Sequence, residues 1–215
     1  MKALLFATHG DHKVLQYTER KDPTGDTDDA IVKVRASALN RIDVIQRSGA
    51  YTVPGFQLPH IGGLDIAGEI AYLGSNAAQR TPWQIGDRVV VNPSLSNVSA
   101  ASTLCNRGDL YGELGVIGIN TPGGHAELCV VPASHLHPIP ESMPFNTAAV
   151  FPTAWMTAHH ALFAVGKLQR DETVLIHAAA SGVSSAAIQL AKAAGATVLA
   201  TAGSAEKCAY ASSLG

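Results

Sequence analysis

Hydrophobic and polar residues alternate in short segments along the first two thirds of the chain, which is the pattern of β-strands. Residues 31–39 place apolar and polar side chains on opposite faces, Val32, Val34, Ala36 and Ala38 against Lys33, Arg35 and Ser37. Further short apolar segments, separated by glycines and prolines, occur at residues 1–7, 65–73, 87–91 and 126–131. Many short strands at irregular spacing predict a rolled β structure.

The pattern changes after about Pro144, where the sequence becomes alanine-rich and helical in period. A helical stretch, broken or kinked at Pro152, is followed by a βαβα pattern; the predicted ranges are 147–165, 173–177, 183–194, 197–201 and 205–214. Such a pattern implies parallel strands joined by right-handed crossovers. One short helix, residues 41–47, interrupts the first part and ends at Ser48-Gly49. We therefore expect two domains, residues 1–145 and 146–215.

The 215-residue chain ends as its second βα helix finishes. Two parallel strands alone form no stable sheet, so we expect the second domain to be incomplete. The exposed edges of a half-built parallel sheet favour pairing with another chain. A second copy of the chain, or a complementing C-terminal fragment, is therefore a candidate partner.

Composition narrows the classes of function. Hydrophobic residues make up 47% of the chain and charged residues 15%, which is enough for a core. The net charge of -2, without a basic run, argues against nucleic acid and acidic membranes as partners. The cysteines, Cys105, Cys129 and Cys208, form no CxxC pair, and the apolar run at residues 1–7 is too short for a signal or a membrane span. We expect a cytoplasmic protein that acts on a small-molecule substrate.

Residues 174–185 (VLIHAAASGVSS) lie at a predicted strand-to-helix junction, where dinucleotide folds bind pyrophosphate. Small side chains there let phosphates approach the backbone N–H groups at the start of the helix. Ala179, Ser181 and Ser184 stand at glycine positions of the GxGxxG pattern, and Gly182 remains. Taken alone, the segment fits an ordinary tight βα turn equally well.

The end of the next strand bears on the choice of dinucleotide. An acidic residue about 20 residues past the loop would bind the ribose of NAD, and that position holds Ala202. Ser204 and Lys207 instead offer a hydroxyl and an ammonium group that suit a 2′-phosphate, which favours NADP. The alternative is a solvent-facing helix start with Ser204 as its N-cap.

Six segments resemble, in this order, the medium-chain dehydrogenase/reductase superfamily, most closely its zinc-free quinone oxidoreductase-like (ζ-crystallin-like) branch. They are ALNRID (38–43), RSGAY (47–51), GLDIAG (63–68), IGDRV (85–89), GGHAE (123–127) and residues 174–185. The resemblance covers the whole chain and implies an α/β protein. It implies a GroES-like, partly open β-barrel followed by an incomplete Rossmann βαβα unit, with the active site in the cleft between the two domains.

Zinc-using relatives hold a catalytic zinc with two cysteines and a histidine, and the corresponding positions here are Asn40, Leu64 and Thr153. An amide, an alkyl chain and a hydroxyl form no credible Zn²⁺ shell. The four cysteine positions of the structural zinc hold other residues, Asn97, Ala100, Thr103 and Tyr111, and Cys105 lies off the pattern. We therefore expect no bound metal.

Without zinc, the protein lacks the Lewis acid that stabilises an alkoxide in alcohol oxidation. Hydride transfer to a quinone or an α,β-unsaturated carbonyl is easier, because a hydrogen-bond donor suffices to stabilise the oxygen that gains charge. The resemblance implies that Asn40, Tyr51 and Thr153 are catalytic. The Tyr51 phenol either donates to the acceptor oxygen or packs, and Asp43 fixes the local loop or Arg41.

The same resemblance, together with the loop and the strand end, predicts the residues that bind NADP: Thr157, Ser181, Gly182, Val183, Ser184, Ser204 and Lys207. Two other functions stay open. The chain could be an inactive or partner-dependent remnant of such an enzyme. A zinc alcohol dehydrogenase is the third hypothesis, and the residues at the ligand positions argue against it.

Overall fold

The computed structural model describes residues 1–53, 56–95 and 115–215. The chain divides into two compact units, Met1–Pro152 and Thr153–Gly215. The predicted domain limits at residues 145 and 146 stay a prediction. Along the described ranges, no helix combines the length and the apolar composition needed to cross a membrane.

The first unit is dominated by antiparallel strands. They are β1 (Lys2–Phe6), β2 (Leu15–Glu19), β3 (Asp29–Ala38), β4 (His60–Ile61), β5 (Asp65–Leu73), β6 (Arg88–Val91), β7 (Ser94–Leu95), β8 (Gly115–Val116), β9 (Leu128–Pro132) and β10 (Leu136–Pro138). Five of them form a sheet in the order β10-β6-β5-β3-β9, three form the order β2-β1-β4, and β7 pairs with β8. An isolated bridge between Ala3 and Ala126 connects β1 with the segment before β9. Within the described residues these sheets stay open, in keeping with the partly open barrel that was predicted.

Strand β3 follows the predicted alternation, since Val32 is fully buried and Lys33 is exposed. Its register with β5 places Ala38 opposite Asp65. The inward-facing residues of β3, β5, β6 and β9 form the main core, which includes Val32, Ile66, Ile70, Val89, Val91 and Val131. The structure therefore confirms the predicted strands at residues 31–39, 65–73, 87–91 and 126–131. Most strand ends differ from the prediction by one or two residues.

In the described part of the first unit, three α-helices accompany these sheets: α1 (Arg41–Ser48), α2 (Ser75–Arg80) and α3 (Phe145–Ala148). Helix α1 ends as predicted, because Gly49 adopts the left-handed conformation (φ 82°) that closes a helix C-terminus. Helix α2 was not predicted.

The second unit contains the βαβα pattern. Its elements are β11 (Thr173–Ile176), α5 (Gly182–Ala193), β12 (Thr197–Ala200) and α6 (Ala205–Ser213), and β11 pairs with β12 in parallel. They follow α4 (Pro152–His159) and a π-helical turn (His160–Val165). Pro152 is the first residue of α4, where its missing N–H leaves no helical bond unmade. The apolar face of α5 packs into a second core with Ile176 and Ala179, and the chain is an α/β protein as predicted.

Candidate functional site

A cluster of polar side chains lies where β3 ends and β5 begins. Asn40 is the N-cap of α1, and its Nδ2 donates a hydrogen bond to Asp65 Oδ2 at 2.9 Å. Asp65 is the first residue of β5 and is 2% exposed. The strand register explains the contact, because Ala38 lies opposite Asp65 and the chain then turns into α1. The structure therefore holds a predicted catalytic residue against a buried carboxylate.

Asp43 joins the first turn of α1 to the turn that precedes β5. Its Oδ2 accepts the Asn40 N–H at 2.7 Å, and its Oδ1 accepts the Gly63 N–H at 3.3 Å. Asp43 therefore fixes the local loop, which is one of the two roles predicted for it. Burial raises the pKa of its carboxyl group, and the bonds from Asn40 and Gly63, together with the nearby His125, act in the opposite direction.

His125 lies beside this cluster, against the Gly62-Gly63 turn. Its Nδ1 is 3.1 Å from Ser37 Oγ, and a Cβ built at Gly63 would lie 2.6 Å from the same nitrogen. Gly63 also has a φ of 99°, so glycine alone suits this position. Burial lowers the pKa of His125, and its Nε2 has no hydrogen-bond partner among the described residues. The GGHAE segment contributed to the family resemblance, but the sequence predicted no role for His125.

The other first-unit residues for which the sequence predicts a role or a metal-ligand position differ in their exposure to solvent. Tyr51 is 42% exposed, whereas Leu64 is buried between Gly63 and Asp65. The structural-zinc positions, Asn97, Ala100, Thr103 and Tyr111, and also Cys105, lie outside the described residues. Within the part of the chain that the structure describes, no group of three or more His, Cys, Asp or Glu side chains could hold a metal ion.

In the second unit, two serines close the loop between β11 and α5. Ser181 is the N-cap of α5, and its Oγ accepts the Ser184 N–H at 3.3 Å. The Ser181 hydroxyl donates to Ser184 Oγ at 2.9 Å, and the Ser184 hydroxyl donates to the His177 carbonyl at 2.8 Å. Helix geometry leaves the N–H groups of Gly182 and Val183 without intrahelical acceptors. These two backbone groups are therefore the donors that the start of α5 offers to a ligand.

The space around this helix start suits an anion. Among the residues that the structure describes, a Cβ built at Gly182 would meet only the Ala154 Cβ, at an ordinary 3.8 Å, and one built at Gly203 would meet nothing within 4 Å. Ala178 has a φ of 52°, so the chain turns sharply just before the helix. Free N–H groups and the positive end of the helix dipole together favour a phosphate group here.

The end of β12 lies beside the same loop. His177 Nδ1 and Thr201 Oγ1 are 2.9 Å apart, and the Ala179 N–H donates to the Thr201 carbonyl at 2.9 Å. Ser204 is the N-cap of α6, and its Oγ accepts the Lys207 N–H at 3.3 Å. The capping geometry considered from the sequence is therefore present, and the Lys207 side chain is exposed in the first turn of α6. The His177–Thr201 contact was not predicted, because it depends on the pairing of two strands.

The remaining predicted residues lie on α4. Thr153 and Thr157 are four residues apart and so share one face of the helix, Thr153 partly buried and Thr157 exposed. Asn40 and Tyr51 belong to the first compact unit, and Thr153 belongs to the second together with all the predicted cofactor-binding residues.

Comparison with known proteins gives consistent matches. Residues 26–141 match the alcohol dehydrogenase GroES-like domain family. A quinone oxidoreductase of Pseudomonas aeruginosa is 33% identical over 206 residues, which cover 96% of this chain and 54% of that protein. The crystal structure of an NAD-dependent alcohol dehydrogenase superposes with a TM-score of 0.94 at 34% identity, covering 100% of this chain and 62% of the other. The structure of Escherichia coli quinone oxidoreductase complexed with NADPH superposes with a TM-score of 0.78 at 28% identity. The superposition covers 100% of this chain and 56% of the other.

The family match spans more than half of the 215 residues, so the chain belongs to the alcohol dehydrogenase GroES-like domain family. Together with the relatives, this places it in the medium-chain dehydrogenase/reductase superfamily of oxidoreductases, in the quinone oxidoreductase-like branch. The chain spans about half the length of curated quinone oxidoreductases, 45% of the Pongo abelii protein and 54% of the Pseudomonas aeruginosa protein.

Proposed function

We propose that this chain functions in a zinc-independent oxidoreductase, which transfers hydride from NADPH to a quinone or an α,β-unsaturated carbonyl. The observation that carries the proposal is the start of α5. There the N–H groups of Gly182 and Val183, and the lack of close neighbours around Gly182 among the described residues, support the binding of a phosphate group in the loop between β11 and α5. Dinucleotide folds bind pyrophosphate at this junction.

The preference for NADPH rests on the end of β12. An NAD-binding site uses a carboxylate at this position to bind the ribose hydroxyls, and Ala202 has none. The 2′-phosphate of NADPH would meet Lys207 and the hydroxyl of Ser204, which keeps its own O–H as a donor while its oxygen caps α6. The solved relatives include both an NAD-dependent protein and one complexed with NADPH, so Lys207 is the residue to test.

The reaction needs a donor at the acceptor's oxygen. When bound, the reduced nicotinamide supplies a hydride, a hydrogen with two electrons, and is itself oxidised. In such a reduction the oxygen of the conjugated acceptor would gain negative charge before a proton from solvent neutralises it, so a hydrogen-bond donor beside this oxygen would stabilise the charge. The second N–H of the Asn40 amide, the Tyr51 phenol and the Thr153 hydroxyl are proposed as donors that stabilise this oxygen.

The first-unit residues do not fit a catalytic zinc. Leu64 offers only an alkyl chain, and the Asn40 amide nitrogen is engaged with Asp65. Alcohol oxidation through a zinc alkoxide is therefore not proposed for this chain.

A partner-dependent or inactive form is the second candidate. It is favoured by the sheet of the second unit, where Leu175 and Leu199 are 56% and 55% exposed on the face opposite α5. Exposed apolar residues on paired strands favour association with another chain or chain segment. A second copy or a complementing C-terminal fragment is the proposed partner.

The proposal is tested by following NADPH oxidation with a benzoquinone and with a conjugated enone, with and without a metal chelator. We expect turnover that the chelator leaves unchanged. Asn40→Ala should lower kcat about 100-fold, because one donor to the developing oxyanion is lost. Asn76→Ala, which removes a half-buried amide bonded to Thr27 and Asp28, is the matched control and should keep full activity. Loss of activity on chelation would refute zinc independence, and no turnover without an added C-terminal fragment would favour the second candidate.

A further inference from the structure

The contact between Asn40 and Asp65 has a consequence for the chemistry of the site. A side-chain amide can present either its oxygen, an acceptor, or its NH₂ group, a donor, to a ligand. A carboxylate accepts hydrogen bonds and donates none. Because Asp65 Oδ2 lies 2.9 Å from the amide nitrogen, the Asn40 amide can face it only with its NH₂ group. The amide oxygen must point away, since two acceptors at this distance would repel each other.

Asp65 can fix this orientation because it is itself well held. It is 2% exposed and lies at the start of β5, opposite Ala38 in the five-stranded sheet. The Asn40 backbone is anchored separately, since its N–H donates to Asp43 Oδ2 at 2.7 Å. Two carboxylates therefore restrain Asn40, Asp43 through the backbone and Asp65 through the side chain.

The remaining donor is the second hydrogen of the amide. An NH₂ group has two donors, and within the described residues Asp65 is the acceptor for one of them. A neighbouring carboxylate also polarises the amide, and hydrogen bonds linked in a chain strengthen one another. The Asn40 amide is thus set to donate to a ligand oxygen.

We propose that Asp65 is a positioning residue that locks the orientation of the Asn40 amide, so that its second N–H is the donor offered to the oxygen of the hydride acceptor. This inference rests on the proposed function for its substrate class, whereas the locked orientation of Asn40 is a property of the chain alone.

The orientation is tested by NMR on the side-chain NH₂ group of Asn40, assigned by its loss in Asn40→Ala. One of the two protons should be shifted downfield and exchange slowly with solvent, because it is bonded to a buried carboxylate. In Asp65→Asn this difference between the two protons should collapse, since an amide at position 65 can present either a donor or an acceptor. Glu69→Gln removes a carboxylate from the same strand that pairs with Arg35 instead, and should leave the signal unchanged.

Activity gives the second measurement. Asp65→Asn should lower kcat for a quinone or enone roughly ten-fold and leave KM for NADPH unchanged, while adding it to Asn40→Ala should have no further effect. Two Asn40 protons with similar shifts and exchange rates in the unmodified chain would overturn the proposal, and that result is accessible even if Asp65→Asn does not fold. An equal loss from Asp65→Asn with and without Asn40 would also overturn it. If the chain reduces no acceptor at all, the proposed function fails, and the NMR result still decides the orientation.

Discussion

A buried imidazole, that of His60, and a half-buried one, that of His125, show how burial sets the chemistry of single residues in the first unit. His60 is 4% exposed, and its Nε2 donates to the Gly118 carbonyl at 2.9 Å. Its ring packs against Phe6 and Phe56, with centroid distances of 5.7 and 4.9 Å. Burial lowers the pKa of both His60 and His125 below the ordinary value of 6.5, because their charged forms would lose hydration. Both rings therefore favour the neutral form in the folded chain.

These shifts predict that the free energy of unfolding falls as the pH drops below 6.5. Well above pH 6.5 both histidines are neutral in the folded and unfolded states, and their contribution to stability is complete. Below it the unfolded chain binds protons that the folded chain does not, until the pH reaches the lowered folded-state pKa values. Each histidine contributes at most about 1.4 kcal/mol per pH unit in this window.

Urea unfolding at several pH values between about pH 7.5 and pH 5.5 measures this slope. His60→Gln keeps a donor for the Gly118 carbonyl and should reduce the slope, whereas His12→Gln, at an exposed position, should not. A slope that His60→Gln leaves unchanged would contradict this account. Asp43 acts in the opposite direction at lower pH, because burial raises the pKa of its carboxyl group.

At the scale of elements, two glycine positions of the GxGxxG pattern at the β11–α5 junction are occupied by serines, Ser181 and Ser184. Ser181 caps α5, and the hydroxyls of Ser181 and Ser184 form a chain of hydrogen bonds that ends on the His177 carbonyl. The hydroxyls thus hold the loop closed, and the backbone N–H groups of Gly182 and Val183 stay available to a phosphate.

This arrangement predicts a specific order of stabilities at position 181. Ser181→Ala should lower the free energy of unfolding by about 1 kcal/mol, because the cap is lost, and Ser181→Gly by only a few tenths. Denaturant midpoints of the two variants measure the difference. Ser212→Ala, at an exposed position on α6, serves as the control and should leave the midpoint unchanged. Equal losses in Ser181→Ala and Ser181→Gly would mean that the side chain of Ser181 does not stabilise the helix as a cap.

The elements also show what the sequence could and could not predict. Strand β5 has its predicted limits, and α1 ends at Gly49 as predicted, because alternation and a glycine stop are local signals. The six-residue α2 was missed because its sequence, SNAAQR, carries no apolar stripe. The burial of Gln46, whose amide donates to the Ile119 carbonyl at 2.9 Å, was missed because it depends on a residue far along the chain.

In the candidate site, too, features set by neighbouring residues could be predicted, and contacts between distant residues could not. The β11–α5 junction, which is proposed to bind phosphate, could be located from the sequence, because its small residues lie together at a predicted strand end. The Asn40–Asp65 bond could not, because it requires the register that brings β3 opposite β5. The roles of Asn40, Tyr51 and Thr153 came from the family resemblance, and they stay predictions until substitution tests them.

At the scale of the whole molecule, the chain combines a β-rich unit and a βαβα unit of the medium-chain dehydrogenase/reductase superfamily. The second unit contains every residue proposed to bind the cofactor, from Thr157 to Lys207. Selection of NADPH by the residues that follow β12 is therefore the central property to test.

The most direct test is a calorimetric titration of the chain with NADPH and with NADH. We expect NADPH to bind more tightly, and Lys207→Ala to weaken NADPH binding about ten-fold or more while leaving NADH binding unchanged, because a charged partner of the 2′-phosphate is lost. Lys192→Ala, which removes an exposed lysine from the last turn of α5, should alter neither affinity. Equal affinities for NADPH and NADH, or an equal effect of Lys207→Ala on both, would contradict the account.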